Sequence, residues 1–369
     1  MSTPSTPPTS VPNEARVRKV LLAEPRGFCA GVEMAIKALA WMVRAFEPPV
    51  YCYHEIVHNR LVVERFREQG VIFVDDTAEV PPGAPLMLSA HGSAPEVVEA
   101  ARAEGRYVVN AVCPLVTKVH HEARVRARKG FTILYVGHAG HDEAVGTLAV
   151  APDAIRLVEH ADDLERVISE VDDPTRLAML AQTTLAHGEW SGILDETRAK
   201  VGDVWTASRN DLCFATTNRQ AALTAIAQRA DAVVVIGSAN SSNTLALVQV
   251  ARDAGCRVVV RVDGPDELDL DQLGGAQVVG VTAGASAPEE LVDAVIAVLA
   301  PEDGVEGVRV TDEDEYFPPP PELRELVPAL DTVAAFAFGG DPRAARALGG
   351  RFAGDRAADA AEMLASLDG

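Results

Sequence analysis

Short apolar runs alternate with longer segments of helical period along most of this chain. The runs are rich in Val, Ile and Leu and predict five buried strands: Lys19–Ala23, Pro85–Ser89, Phe131–Val136, Ala232–Ile236 and Gln277–Val281. Apolar residues at helical spacing predict four helices: Glu33–Arg44, Val116–Lys129, Asn218–Gln228 and Glu289–Leu299. This alternation is typical of an α/β protein with buried parallel sheets.

Three of the five cysteines stand immediately before a predicted helix, in the segments GFCAGV, AVCPLV and DLCFAT. These residues, Cys29, Cys113 and Cys213, are 84 and 100 residues apart, which is about the length of one α/β unit. Their spacing predicts three similar α/β lobes that each contribute one thiol.

The expected boundaries of the lobes are residues 19–113, 114–209 and 210–300. Residues 1–18 are expected to form a flexible leader, because they are rich in Ser, Thr and Pro. Residues 301–369 begin with an acidic, proline-rich stretch and end with a segment rich in Ala, Arg and Asp, which indicates a surface strap followed by a helical tail.

The charge balance narrows the possible partners. The 369 residues include 33 Lys and Arg against 54 Asp and Glu, a net charge of −21, so there is no basic excess to bind nucleic acid. No run of 18 uncharged apolar residues occurs, and the first residues lack an apolar stretch of signal-peptide length, so neither a membrane nor export is expected. An odd number of widely spaced cysteines favours reduced thiols over disulfides and predicts a cytoplasmic location.

The three cysteines that precede helices are candidate metal ligands or nucleophiles. The positive end of a helix dipole favours the thiolate, whereas a single free cysteine is most often a small buried hydrophobic residue. Three cysteines in one local setting favour ligation, while Cys52 and Cys256 lie in apolar runs and are expected to serve packing. Three thiolates fall short of the four that a closed zinc or iron–sulfur site takes, so one metal position would stay open to a substrate.

Polar motifs follow the predicted strands: HEIVHNR, SAHGS, GHAGHDEAVGT, AQTTLA, GSANSSN and TAGASAPEE. Because ligands bind beyond the carboxyl ends of strands in open α/β sheets, these loops are expected to converge on one pocket. Three histidines are candidate anion contacts or proton carriers: His58, His91 and His141. Glu143 is the candidate proton donor, and Thr183 and Thr184 are candidates to hold an alcohol or a water.

Two of these motifs also have a purely structural interpretation. Ser241, Ser242 and Asn243 open a predicted helix, where they either seat a phosphate on free backbone N–H groups or act as N-caps. Ser286 with Glu289 matches a capping box, so it too either contacts a ligand or caps a helix. The residues alone leave both alternatives open.

Taken together, the motifs resemble one family closely, the 4-hydroxy-3-methylbut-2-enyl diphosphate reductases, which catalyse the last step of the methylerythritol phosphate route to isoprenoids. The segments that carry the resemblance occur in the family's order and spacing from about Val20 to Leu299: PRGFCAGV, HEIVHNR, SAHG, CPLVTKVH, GHAGHDE, QTTL, ATTNRQ, NSSN and TAGASAP. The resemblance implies three α/β lobes in a trefoil-like arrangement around a central [4Fe–4S] cluster.

The resemblance also implies roles for individual residues. Cys29, Cys113 and Cys213 match the cluster ligands, and the fourth iron is the substrate site. Glu143 matches the proton donor, and Thr183 matches the threonine beside the substrate hydroxyl. The diphosphate contacts fall on seven residues: His58, His91, His141, Ser241, Ser242, Asn243 and Ser286. The implied reaction is reductive dehydroxylation to isopentenyl and dimethylallyl diphosphate, with electrons from a ferredoxin or a flavodoxin-type donor.

The chain departs from the family pattern at three places. Val145 stands where a second acid is usual, Thr244, Leu245 and Ala246 replace Ser-Asn-Arg, and Glu33 and Met34 replace Asp-Arg. These changes motivate two alternative hypotheses, a divergent paralogue that reduces another allylic diphosphate and a non-catalytic cluster-binding sensor.

Overall fold

The structure is a computed structural model that describes residues 16–207, 211–337, 356 and 358–367. Most of the predicted leader and residues 338–355 of the predicted tail lie outside the described residues. The described strands are β1 Lys19–Glu24, β2 Val50–Tyr53, β3 Val71–Val74, β4 Pro85–Leu88, β5 Tyr107–Asn110, β6 Thr132–Val136, β7 Ile155–Val158, β8 Leu177–Ala181, β9 Trp205–Thr206, β10 Ala232–Ile236, β11 Val258–Val262, β12 Val278–Ala283 and β13 Val305–Arg309. The described α-helices are α1 Ala30–Ala45, α2 Arg60–Glu68, α3 Pro95–Ala103, α4 Pro114–Arg128, α5 Asp142–Val150, α6 Asp163–Ser169, α7 His187–Val201, α8 Phe214–Ala227, α9 Ser242–Asp253, α10 Glu289–Leu299, α11 Pro321–Ala337 and α12 Ala360–Ala365.

The strands form three parallel sheets, each in its own α/β lobe. Sheet I has the order β11-β10-β12-β1-β13, sheet II the order β3-β2-β4-β5, and sheet III the order β7-β6-β8-β9. The predicted α/β class with three lobes in a trefoil-like arrangement is therefore confirmed. The predicted strands and helices are all present, and their ends agree with the structure to within a few residues.

Sheet I differs from the predicted lobe boundaries. Strand β1 was expected to belong to the first lobe, but it pairs with β12 and β13, with Lys19 opposite Val278 and Val20 opposite Val305. Strand β13 lies in the stretch that was predicted to be a strap, and it completes the sheet of the third lobe. After β1 in sheet I, the chain crosses to sheet II through α1.

The side chains of β1 point alternately to the two faces of sheet I, and both faces are buried. Val20 and Leu22 join the apolar core on one face, with Val292 and Val295 of α10. Leu21 and Ala23 join the core on the other face, which is covered by α8 and α9. Successive side chains of a strand point to opposite faces, so an all-apolar run predicts a strand covered on both sides.

The C-terminal helices pack against the lobe that contains sheet II. Leu323 and Val327 of α11 and Met363 and Leu364 of α12 share an apolar core with α1 and sheet II. The predicted helical tail is therefore part of a core where the structure describes it. None of the described helices combines the length and the apolar character needed to cross a membrane.

Candidate active site

The three lobes meet at one cavity of about 720 Å³, including the open space at its mouth. Every predicted site residue lines it: Cys29, His58, His91, Cys113, His141, Glu143, Thr183, Cys213, Ser241, Ser242, Asn243 and Ser286. Each of these residues follows the carboxyl end of a strand, where open parallel sheets place their ligand sites. The expected convergence of the polar loops is confirmed.

Each of the three cysteines is the N-cap residue of a helix: Cys29 caps α1, Cys113 caps α4 and Cys213 caps α8. Burial and the neighbouring Cys29 thiol raise the pKa of Cys113 to about 12, although the backbone N–H groups of Leu115 and Val116 lower it. Burial and the two other thiols likewise raise the pKa of Cys213 well above its usual range. The helix dipole alone is therefore too weak to ionise Cys113 or Cys213, and thiolates at these two positions require a positive centre beside them.

Gly31 keeps the space between two of the thiols open. A Cβ atom at this position would lie 2.8 Å from Sγ of Cys113 and 3.9 Å from Sγ of Cys29, so even an alanine would collide with a cysteine sulfur. Cys52 and Cys256 are buried elsewhere and do not line the cavity, as expected for packing residues. All five cysteines are free thiols. The donor set and the open space fit an iron–sulfur cluster held by three thiolates.

Three histidines form one wall of the cavity. The rings of His58 and His91 stack with centroids 3.9 Å apart, and His141 lies edge-on at 5.4 Å from His58 and 6.0 Å from His91. Burial and the adjacent imidazoles lower the pKa of His141 to about 4 and hold that of His91 well below its usual range. Nδ1 of His91 has no hydrogen-bond partner among the described residues.

A carboxylate that the sequence analysis did not select stands beside these histidines. Oδ1 of Asp142 lies 2.7 Å from Nδ1 of His54, and its Oδ2 lies 3.6 Å from Nδ1 of His91 and 3.9 Å from Nε2 of His58. Burial raises the pKa of Asp142, but the hydrogen bond to His54 and the nearby imidazoles outweigh it and bring the pKa down to about 2. His54 shares the HEIVHNR motif with His58, which was the available signal.

Glu143 is the most deeply buried carboxyl group of the cavity, with only 2% of the residue exposed. Its Oε1 accepts a hydrogen bond from the backbone N–H of Thr183 at 2.7 Å, and its Oε2 accepts one from the Thr183 hydroxyl at 2.8 Å. Burial raises the pKa of Glu143 to about 7, although both hydrogen bonds to Thr183 lower it. A carboxyl group with this pKa can hold a proton at neutral pH and release it to a substrate.

The serine and asparagine residues combine structural and ligand-directed contacts. Ser241 caps α9 by accepting from the backbone N–H of Thr244, while the Ser242 hydroxyl lies 2.9 Å from Nε2 of Gln182. Oδ1 of Asn243 accepts from the backbone N–H of Ala285, and its Nδ2 has no partner among the described residues. An unpaired, buried N–H donor is costly unless a ligand accepts from it.

The predicted capping box of Ser286 is wrong. Helix α10 begins after Pro288, and no side chain caps it. The Ser286 hydroxyl instead donates to the backbone carbonyl of His58 at 2.8 Å, because sheet I and sheet II bring these two loops together. This bond links two loops of the cavity wall.

The departures from the family pattern lie outside the cavity. Val145 and Leu245 are 49% and 50% exposed, and neither lines the site. Thr244 is buried, with its hydroxyl packed into the space that a side chain at Gly237 or Gly284 would take. Glu143 keeps two hydrogen bonds without a second acid at position 145.

Comparisons with known proteins agree with the geometry. The family described as LytB protein matches residues 20–300. The chain is 46% identical over 308 residues to the 4-hydroxy-3-methylbut-2-enyl diphosphate reductase of Rhodopirellula baltica, covering 83% of this chain and 96% of that protein. It is 46% identical over 314 residues to the enzyme of the same name from Acidothermus cellulolyticus, covering 85% and 92%. The solved structure of the E-1-hydroxy-2-methyl-but-2-enyl-4-diphosphate reductase from Plasmodium falciparum is similar with a TM-score of 0.77 and 31% identity, covering 81% of this chain and 93% of that one. The chain belongs to the LytB family of 4-hydroxy-3-methylbut-2-enyl diphosphate reductases.

Proposed function

We propose that this chain reduces 4-hydroxy-3-methylbut-2-enyl diphosphate to isopentenyl and dimethylallyl diphosphate. The observation that carries the proposal is the position of Glu143, a carboxyl group with a pKa of about 7 in the same cavity as three cysteine thiols and three histidines. The overall change consumes two electrons and two protons, breaks the allylic C–O bond and releases water. The cavity thus needs an electron source, a proton source and an anion site.

The electron source is the cofactor. The family is iron–sulfur dependent, and we assign this chain one [4Fe–4S] cluster on the three helix-capping cysteines. When bound there, such a cluster supplies electrons and one Lewis-acidic iron without a protein ligand. A ferredoxin or a flavodoxin-type protein is the proposed electron donor, and five free thiols favour a reducing, cytoplasmic compartment.

The proton source is Glu143, which Thr183 holds in place. Both carboxylate oxygens accept hydrogen bonds from Thr183, so the carboxyl group cannot rotate away from the cavity. We assign the same threonine hydroxyl to contact the substrate hydroxyl. Protonation of the departing oxygen by Glu143 turns a poor leaving group into water.

The anion site is the proposed seat of the diphosphate. His58, His91 and His141 supply one wall, and Ser241, Ser242, Asn243 and Ser286 supply the loops beside the start of α9. Nδ2 of Asn243, which has no partner among the described residues, is a donor that an anion would satisfy. Because the chain carries a net charge of −21, attraction must come from these local groups and from the N-terminus of α9.

Turnover with the named substrate tests the proposal. Protein reconstituted with iron and sulfide without oxygen, and reduced with dithionite, is expected to convert 4-hydroxy-3-methylbut-2-enyl diphosphate into the two five-carbon diphosphates. Loss of substrate without either product contradicts the proposed reaction. Turnover of another allylic diphosphate alone supports the divergent paralogue, and a bound cluster with no turnover of either supports the sensor.

A further inference from the structure

One buried arginine ties together the loops that carry two of the cysteines. The Arg219 residue on α8 is only 1% exposed, and its guanidinium group has backbone acceptors on three sides. Nε and Nη2 donate to the carbonyl of Gly27 at 3.0 and 2.8 Å, and Nη2 also donates to the carbonyl of Phe28 at 3.0 Å. Nη1 donates to the carbonyl of Ala215 at 2.9 Å. Arg219 therefore joins the two residues before Cys29 to the first turn after Cys213.

The charge of this arginine is balanced from a distant part of the chain. Oε1 of Glu313 lies 3.0 Å from Nη1 of Arg219, and Oε2 accepts from Nδ2 of Asn218 at 3.0 Å. The Glu313 side chain is 12% exposed. A guanidinium group this deeply buried needs an anion beside it, because an unpaired buried charge is strongly destabilising.

Glu313 belongs to residues 310–320, which we name the strap. The strap runs from the end of β13 to the start of α11 and contacts two of the three helices that follow a cysteine, α1 and α8. The ring of Phe317 contacts that of Phe214, the residue after Cys213, with centroids 6.4 Å apart. The ring of Tyr316 lies 5.4 Å from Nζ of Lys37 on α1. Glu313, Tyr316 and Phe317 thus anchor the strap to α1 and α8.

We propose that the strap is a clamp for the cluster loops, in which Glu313 acts through Arg219 as a positioning residue for Cys29 and Cys213. Arg219 holds the Gly27 and Phe28 carbonyls just before Cys29 and the Ala215 carbonyl just after Cys213, so the pair fixes the distance between the two cysteines while the cluster is bound. The inference rests on the proposed iron–sulfur function and extends it beyond residue 300, where the family match ends. Glu313 does not line the cavity, so its effect is on retention of the cofactor.

Cluster retention in matched variants tests the clamp. Glu313→Gln replaces the carboxylate by an uncharged amide of similar shape. Glu315→Gln makes the same charge change at an exposed position of the strap that Arg219 does not contact. Val292→Ala in the core of sheet I is a control for general loss of stability. The readouts are the decay of the cluster's visible absorbance after addition of a chelator in air, and the melting temperature of each cluster-free protein.

We expect the Glu313→Gln protein to lose its cluster roughly tenfold faster than wild type, the factor expected when one charge-assisted hydrogen bond is lost. The Glu315→Gln and Val292→Ala proteins should lose it at the wild-type rate, although the latter melts at a lower temperature. Equal decay rates in the Glu313→Gln and Glu315→Gln proteins overturn the clamp. So does rapid decay in Val292→Ala, because retention would then follow overall stability.

A second variant covers the case in which Glu313→Gln alone does not fold. The double variant Arg219→Met with Glu313→Gln removes the buried charge pair as a whole, which is tolerated better than removal of one partner. It is expected to fold and still lose its cluster rapidly, because no donor then holds the Gly27 and Phe28 carbonyls. If the double variant retains its cluster as long as wild type does, the clamp is refuted but the proposed function is not. If the wild-type chain binds no cluster, both the clamp and the proposed function are refuted.

Discussion

Replacing Glu143 by glutamine separates the chemistry of this residue from its place in the fold. The amide keeps the size of the side chain and can still pair with the backbone N–H and the hydroxyl of Thr183. It cannot deliver a proton. We expect turnover to fall by about 10² or more, the scale of general acid catalysis, while cluster content and KM change little.

The same substitution should stabilise the protein at alkaline pH. Burial raises the pKa of Glu143 from 4.5 to about 7, so the folded state binds this proton more tightly than the unfolded state does. The contribution of this group to the free energy of unfolding is therefore fully present below pH 4.5 and is lost as the pH rises to about 7 and above. The shift corresponds to a cost of about 3 kcal/mol for the ionised form, as an upper limit.

Glutamine does not ionise, so it avoids that cost. We expect the Glu143→Gln protein to be more stable than wild type by about 1 to 3 kcal/mol at pH 8 and to approach wild type near pH 5. Urea denaturation of the cluster-free proteins at both pH values measures the difference, and Glu165→Gln on the exposed face of α6 is the control. A pH-independent difference, or unchanged turnover, would refute the assignment of the proton to Glu143.

Three further predictions concern the cofactor and the anion site. Serine in place of any of the three helix-capping cysteines should abolish the cluster, measured as iron bound per chain, whereas serine at Cys52 or Cys256 should leave it intact. Alanine at His91, Ser242 or Asn243 should weaken binding of inorganic diphosphate by roughly 1 to 3 kcal/mol in calorimetric titration. Ser242→Ala and Asn243→Ala should also lower the melting temperature of the free protein, because both side chains make hydrogen bonds within it; loss of stability without loss of affinity would contradict the contacts. Asp142→Asn removes a negative charge that faces two of the histidines, so we expect it to bind diphosphate roughly tenfold more tightly, and weaker binding would mean that Asp142 chiefly orients the rings.

Local signals were enough to find the cysteines and the loops of the cavity. A cysteine before a helical pattern is an N-cap position, and parallel strands place the loops that follow them at one edge. These rules need only neighbouring residues, which is why Cys29, Cys113 and Cys213 were found to share a cavity as expected.

Contacts between distant segments could not be predicted in this way. The pairing of β1 with β12 and β13 depends on contacts between distant parts of the chain. The apolar pattern of β1 would fit any buried sheet equally well. The hydrogen bond from Ser286 to the His58 carbonyl connects two lobes. The local sequence around Ser286 matches a capping box instead, although no side chain caps α10. Likewise, Asp142 acquires its role from His54, which lies 88 residues away along the chain.

The central claim is that the cavity holds a cluster with one iron left open for the substrate. Mössbauer spectra of the chain reconstituted with ⁵⁷Fe test it most directly, before and after addition of 4-hydroxy-3-methylbut-2-enyl diphosphate. Because three thiolates are available there, we predict that about one iron in four changes its spectrum with this substrate. Isopentenyl diphosphate, which lacks the hydroxyl, should leave the spectrum as it was. Four equivalent irons that do not respond to the hydroxylated substrate would contradict the account.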